Sequence, residues 1–194
     1  MRIEGEHAFT APRREVWDAL NDPDMLARAL PGAQRLEAVA PDEYALTVSV
    51  GVGSVRGTYE GTFALLDKRD GAGCTVRASA SGGPGSAETV ARMALRDADG
   101  GGTVLAYEAD ANITGALAGV GQRLVAAAAR RTTREFLEAL EREIAAPAAA
   151  DGLEVALPAP PRVKPDLAVV ALSAAAGALI ALAGVAVGRW SARR

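Results

Sequence analysis

The chain has 194 residues, which is enough for one well-formed hydrophobic core and a tight fit for two full domains. Residues 1–146 carry 16 basic and 21 acidic side chains, a net charge of −5, and aromatic residues make up only 4% of the sequence. This composition argues against nucleic-acid binding, which needs cations for phosphates and aromatic rings for bases. The single cysteine excludes an internal disulfide framework. Arg2, Glu4 and Glu6 are unlike a signal peptide, so we expect the domain to stay in the cytoplasm.

The first predicted elements are one strand and two short helices. Apolar and polar residues alternate over residues 3–9, which is typical of a strand with one buried face, and His7 lies on the inward side. Thr10 and Pro12 then favour the start of a helix. A second short helix is predicted for residues 24–30, where Pro31 and Gly32 end it.

From residue 34 to residue 113 the apolar period changes to two, and turn residues separate the apolar runs. This pattern predicts an antiparallel meander, which makes six to seven strands with the first one. Small inward residues such as Gly57 and Gly61 permit strong bending, so we expect a sheet that curves around a helix.

One long helix is predicted at residues 117–144, because apolar residues recur there at three- and four-residue steps. Its predicted apolar stripe consists of Leu117, Val120, Leu124, Ala128, Leu137, Leu140 and Ile144. The N-terminal half of this helix is rich in alanine and glycine. Since small side chains leave space unfilled, we expect a cavity between that half and the sheet. The predicted fold class is therefore α+β, a curved antiparallel sheet wrapped on a C-terminal helix.

Beyond this domain, residues 1–146, the sequence predicts a linker, a membrane helix and a basic tail. Residues 147–166 are rich in proline and form an extended linker. Residues 167–188 carry no charge, and a helix of that length spans about 33 Å, enough for a single-pass C-terminal anchor. The basic residues in 189–194 oppose the positive-inside rule, so a helix lying in the interface stays open. Gly184 and Gly188 suggest a tail-helix dimer, or reflect only an alanine- and glycine-rich composition.

Catalytic and metal sites find no support in the sequence. One histidine and one cysteine on separate strands cannot form a zinc cluster, and no serine occupies a nucleophile elbow. The glycines between residues 51 and 57 lack both the spacing of a dinucleotide loop and the lysine of a phosphate loop. We therefore predict no catalytic residues, no metal and no cofactor beyond a bound lipid-like molecule.

Three inward polar side chains, His7, Tyr59 and Tyr107, have two interpretations. They are core residues with satisfied polar atoms, or they orient a mostly apolar ligand in the predicted cavity. On the second interpretation the site is lined by His7, Leu30, Val50, Val52, Tyr59, Phe63, Met93, Tyr107, Val120, Gly121 and Leu124. An isoprenoid quinone suits such a site, because its tail is apolar and its carbonyls accept hydrogen bonds.

The order of one strand, two short helices, a meander and a long terminal helix resembles the START-like (SRPBCC) helix-grip fold. Within it, residues 1–144 are similar to the carbon monoxide dehydrogenase G-subunit family. The similarity is carried by Pro12, Val16-Trp17, Leu20, Asp22-Pro23, Leu30-Pro31-Gly32, Val50-Gly51, Arg56-Gly57-x-Tyr59-x-Gly61, Thr103-x-x-x-Tyr107 and Leu117 through Arg123-Leu124. His7 departs from the family, in which an apolar aromatic residue is usual at that position.

The resemblance implies a non-catalytic accessory protein. It would recruit a molybdenum-containing carbon monoxide dehydrogenase of the xanthine oxidase type to the cytoplasmic face of the cell membrane, and it would bind an apolar ligand, with a respiratory quinone as the candidate. Two alternatives stay open. One is a cyclase- or hydrolase-like enzyme of the same fold, and the other is a pure membrane tether without a ligand.

Overall fold

The computed structural model describes residues 1–146, and residues 147–194 lie outside the described part of the chain. Its elements in chain order are β1 (Arg2–Phe9), α1 (Arg13–Asn21), α2 (Pro23–Ala29), β2 (Ala33–Ala40), β3 (Glu43–Val52), β4 (Val55–Arg69), β5 (Gly73–Gly82), β6 (Gly85–Asp97), β7 (Thr103–Ile113), α3 (Gly115–Gly119) and α4 (Gln122–Ala145). The predicted helix-grip arrangement of these elements is confirmed.

Seven antiparallel strands form a single sheet in the order β1-β7-β6-β5-β4-β3-β2. Strands β2 to β7 are a meander, whereas β1 pairs with β7 at the far edge, and α1 and α2 make the connection between the two edges. The sequence predicted that alternate residues along the strands face the core, and the structure confirms this alternation. In β4, for example, Tyr59 and Phe63 are buried while Glu60 and Thr62 are exposed.

The hydrophobic core lies between the inner face of the sheet and the helices. α4 buries Val125, Ala129, Thr132, Thr133, Phe136, Leu137 and Leu140. The two short helices cover the remaining inner face, and α2 also packs against α4. α2 begins where it does because the Asp22 carboxylate accepts hydrogen bonds from the Asp24 and Met25 N–H groups and Pro23 occupies the first helical position.

The terminal helix is broken, so the prediction of one uninterrupted helix over residues 117–144 is wrong. α3 ends at Gly119 and α4 begins at Gln122, and between them Gly121 has a φ of 98°. Glycine adopts this conformation at little cost, whereas other residues are strained there. The break shifts the phase of the helix. Val125 faces the core in place of Leu124, which is 56% exposed.

The structure also corrects the membrane part of the predicted fold class. Within residues 1–146, no helix has the length and apolar character needed to cross a membrane. The described residues therefore supply no transmembrane helix, and they give no support to the cell-membrane location that was inferred from one. The linker, the spanning segment, the basic tail and the Gly184/Gly188 pair, all within residues 147–194, fall outside the described residues.

Gly61 marks a point where two neighbouring strands leave no space for a side chain. A Cβ atom there would lie 2.1 Å from the Ser79 carbonyl oxygen and 2.9 Å from the Ala80 Cα atom. We predict that Gly61→Ala lowers the free energy of unfolding by about 1–3 kcal/mol, because backbone atoms have to move. Gly83→Ala is the control, since a Cβ there meets nothing within 4 Å. Urea denaturation measures both variants, and equal losses of stability would contradict the prediction.

Candidate ligand-binding cavity

An apolar cavity of about 70 Å³ lies between the sheet and the helices. It is lined by Leu20, Leu26 and Leu30 from the α1–α2 region, by Leu36, Phe63, Leu65, Val76, Ala91, Met93, Leu105 and Tyr107 from the sheet, and by Thr133, Phe136 and Leu137 from α4. Tyr107 and Thr133 are the lining residues that carry a hydroxyl group. A concave, mostly apolar space with a few polar groups is the usual form of a site for a hydrophobic small molecule.

Four of the eleven residues predicted to form a ligand site line this cavity, namely Leu30, Phe63, Met93 and Tyr107. The other seven do not. Three of these are buried in β3 and β4 beside the hairpin that joins them, Val50, Val52 and Tyr59. Three more surround the helix break, Val120, Gly121 and Leu124, and the last is His7 of β1.

The cavity faces the C-terminal half of α4 and not the small-residue half expected from the sequence. The helix break divides the small residues into two groups, and Ala129, which follows the break, is buried but does not line the cavity. Ala116, Ala118 and Gly119, which precede the break, are exposed to solvent instead of facing the sheet. Small side chains that face water enclose no space, so the volume lies opposite Thr133 and Phe136.

Ten of the lining residues were not among the predicted site residues. The sequence patterns that could have identified them differ. Thr133, Phe136 and Leu137 follow the helical spacing that ends on Leu140, so the period alone indicated that they face the core. The alternation along the strands predicted that four others face the core, but it did not show that they border a cavity. These four are Leu65, Val76, Ala91 and Leu105. The remaining three are Leu20, Leu26 and Leu36, and their part in the site depends on how α1, α2 and β2 pack.

Tyr107 extends from the cavity toward β1 and α4. Its cross-strand partner is Gly5, where a Cβ atom would lie 2.5 Å from the Tyr107 Oη atom, so the absent side chain makes room for the ring. Burial raises the pKa of Tyr107, and the positive charges of Arg130 and Arg134 partly oppose that shift. The hydroxyl is therefore protonated at neutral pH and lies near two guanidinium groups of α4.

His7 takes part in the packing of α4 against β1 and does not line the cavity. Its Nε2 atom lies 3.4 Å from Oε2 of Glu141, and its ring meets Phe9 edge-on with centroids 4.7 Å apart. The Oε1 atom of Glu141 accepts hydrogen bonds from the backbone N–H and the hydroxyl of Thr10. These contacts tie the end of α4 to the first strand. His7 therefore belongs to this packing, although its buried Nε2 atom has no hydrogen-bond partner among residues 1–146.

A second, open groove of about 850 Å³ is bordered by residues of β1, β4, β5, β6 and β7. Met93 and Tyr107 line both this groove and the apolar cavity. Acidic and basic side chains share its border, including Glu4, Glu6, Glu108, Lys68, Arg69 and Arg92. Mixed charges and free access of water give it little affinity for an apolar molecule. The inner cavity is therefore the candidate site.

Groups that could support catalysis are few in the described part of the chain. Residues 1–146 contain no cluster of three His, Cys, Asp or Glu side chains arranged to hold a metal ion. Cys74 is only 5% exposed, and burial raises the pKa of its thiol to about 11. Because the thiolate is the reactive form, this cysteine is a poor nucleophile at neutral pH.

The sequence profile of the family described as the G subunit of carbon monoxide dehydrogenase (CoxG) matches residues 5–145, which run from β1 to α4. The chain belongs to this family. The resemblance seen in the sequence is thereby confirmed over almost the whole described domain. Comparison with curated proteins gives no match.

Several solved structures are similar to this CoxG family member. A conserved protein from Geobacillus kaustophilus is 26% identical, with a TM-score of 0.72 over 75% of this chain and 95% of that one. A START superfamily protein from Mycobacterium smegmatis is 14% identical, with a TM-score of 0.59 over 74% and 97% of the two chains. The Zhui aromatase/cyclase from Streptomyces sp. R1128 is 16% identical, with a TM-score of 0.55 over 75% and 93%. The last two show a shared fold and nothing about activity.

A cavity of this size has to expand before it admits a ligand, since an engineered protein cavity that accepts one benzene has about 150 Å³. We expect α2 to move, because it is a seven-residue helix that contributes Leu26 to the wall. The ion pair between Arg28 and Glu143 joins its outer side to α4.

We predict that Arg28→Ala speeds hydrogen exchange of the Leu26 and Leu30 amides, which donate to the Asp22 and Leu26 carbonyls. The pair is exposed, so global stability should change little. Arg35→Ala is the control, because it removes an exposed pair with Glu37 on β2. Unchanged exchange in Arg28→Ala, or equal acceleration in both variants, would show that the ion pair does not hold α2 in place.

The raised pKa of Cys74 gives a pH dependence to stability. Above about pH 9 the unfolded thiol releases a proton that the folded protein still holds, so the stabilisation is complete below pH 9 and is lost as the pH rises toward 11. We predict that this loss amounts to roughly 2–3 kcal/mol at most. The Cys74→Ala variant keeps the tyrosines that titrate in this pH range but has no thiol, so it should not show this loss of stability. Denaturant unfolding from pH 8 to 11 compares the two, and identical pH profiles would refute the assignment.

Proposed function

We propose that this protein is a non-catalytic accessory subunit of a molybdenum-containing carbon monoxide dehydrogenase and that it binds a hydrophobic small molecule. The observation that carries the proposal is the apolar cavity between the sheet and the helices. Its lining is almost entirely aliphatic or aromatic, which favours a ligand that gains by leaving water. The family description as a dehydrogenase subunit supports the association with the enzyme.

The ligand that we propose is an isoprenoid quinone. Its hydrocarbon portion suits the leucine-rich wall, and a quinone bound beside a redox enzyme supplies that enzyme with an electron acceptor. Its ring is larger than the cavity of about 70 Å³, so binding includes the displacement of α2 described above.

The enzyme alternative has less support. A related fold occurs in an aromatase/cyclase, but general acid/base catalysis needs groups that exchange protons near neutral pH. The cavity is lined by the hydroxyls of Thr133 and Tyr107, with no carboxylate, histidine or thiol among the lining residues of the described domain. These groups suit binding better than proton transfer.

Ala91→Leu tests the site by filling it. Ala91 lines the cavity from β6, so three added carbons enter empty space, and we predict unchanged or higher thermal stability together with loss of binding of a short-chain menaquinone. Ala78→Leu is the control. Ala78 is 1% exposed and does not line the cavity, so overpacking should destabilise this variant by about 1–3 kcal/mol.

Isothermal titration calorimetry with the full chain measures the menaquinone affinity. Binding to folded Ala91→Leu with wild-type affinity would place the ligand elsewhere, and absence of binding to the wild type would overturn the ligand part of the proposal. Co-elution with purified carbon monoxide dehydrogenase tests the association separately. It should be equal for wild type and Ala91→Leu, because the substitution changes only the interior.

A further inference from the structure

Thr133 lines the otherwise apolar cavity and carries a buried hydroxyl group. The side chain is only 6% exposed, and its Oγ1 atom has no hydrogen-bond partner among residues 1–146. A buried hydroxyl of this kind has lost its bonds to water and gained none, which lowers the stability of the folded state. Thr89 and Thr132 also have buried Oγ1 atoms without a partner in the described domain, and Thr133 is the one of the three that lines the cavity.

Tyr107 is the second lining residue with a hydroxyl group. Its Oη atom lies beside Gly5 of β1, the strand that packs against α4 through His7 and Glu141. Thr133 is one helical turn from Arg130 and adjacent to Arg134, and both arginines are close enough to Tyr107 to act on its pKa. Tyr107 belongs to β7, which is next to the β1 edge of the sheet. Leu36 comes from β2 at the opposite edge, against which α2 packs. The cavity therefore has a hydroxyl-bearing end near β1 and an aliphatic end near β2.

We propose that Thr133 and Tyr107 bind a carbonyl oxygen of the ligand. Both hydroxyls can donate a hydrogen bond, and a carbonyl brought into the cavity provides the partner that Thr133 lacks. Arg130 and Arg134 add positive potential at this end, which favours an oxygen with partial negative charge. The ligand then lies with its carbonyl near β1 and its hydrocarbon portion toward α2 and β2. This inference rests on the proposed ligand-binding function and assigns Thr133 a role in specificity.

The test uses two rigid probes of similar shape, naphthalene and 1,4-naphthoquinone, which differ in two carbonyl groups. Thr133→Val keeps the shape of the side chain and removes the hydroxyl. With the full chain, we expect this variant to bind naphthoquinone about three- to tenfold more weakly than the wild type and naphthalene at least as well. Without a probe, we expect it to unfold at a higher temperature, because the unpaired hydroxyl is gone.

Thr132→Val is the matched control. Thr132 is 0% exposed and its Oγ1 atom also lacks a partner among the described residues, but it does not line the cavity. This substitution should leave both affinities unchanged, whereas Tyr107→Phe should weaken naphthoquinone binding alone.

The outcomes separate the two proposals. If the wild type binds both probes and Thr133→Val binds naphthoquinone with unchanged affinity, the assignment of Thr133 is overturned while ligand binding stands. A loss of naphthoquinone affinity that is equal in Thr132→Val also overturns the assignment, because the effect is then not specific to the cavity. If the wild type binds neither probe, the assignment of Thr133 and the ligand part of the proposed function both fail, whereas association with the dehydrogenase is tested separately.

Discussion

The packing of one helix into the concave face of a seven-stranded sheet is the constraint on which the rest of this structure depends. Six of the seven strands bury apolar side chains on one face, and α4 is the longest of the described helices that cover it. A straight helix cannot follow a curved sheet along its whole width. The short helices α1 and α2 cover what α4 leaves exposed, and the space that none of them fills is the cavity.

Much of the sheet could be predicted from the sequence, because the period of two places each residue on a face whatever the neighbouring strands do. Tyr59, Phe63 and Tyr107 are inward for that reason. The bounds of the helix were harder to predict, since an isolated glycine in a helical pattern is often tolerated. At Gly121 the positive φ interrupts the helix. Val125 is therefore buried in the core, and Leu124 is exposed. The cavity could not be placed from the sequence, because a void depends on the summed volumes of side chains from several elements.

Thr133 places a buried hydroxyl group, which lowers the stability of the fold, within a mostly apolar core. Every other α4 side chain that lines the cavity is apolar, and an unpaired hydroxyl there weakens the fold. Such conflicts with local stability in natural proteins concentrate at functional sites. The residues that look least favourable for folding are thus more informative about the ligand than the leucines around them. The family match concerns a dehydrogenase subunit, and the proposed ligand depends on the residues of the cavity alone.

The cavity also makes the folded state larger than its atoms require. A void of about 70 Å³ per molecule corresponds to roughly 40 mL per mole, which lies within the range of volume decreases that accompany protein unfolding. Hydrostatic pressure favours the state of smaller volume, so the empty domain unfolds at lower pressure than a fully packed domain of equal stability. A molecule that fills the void removes this volume difference. Occupancy of the cavity is therefore coupled to the volume change of unfolding as well as to its free energy.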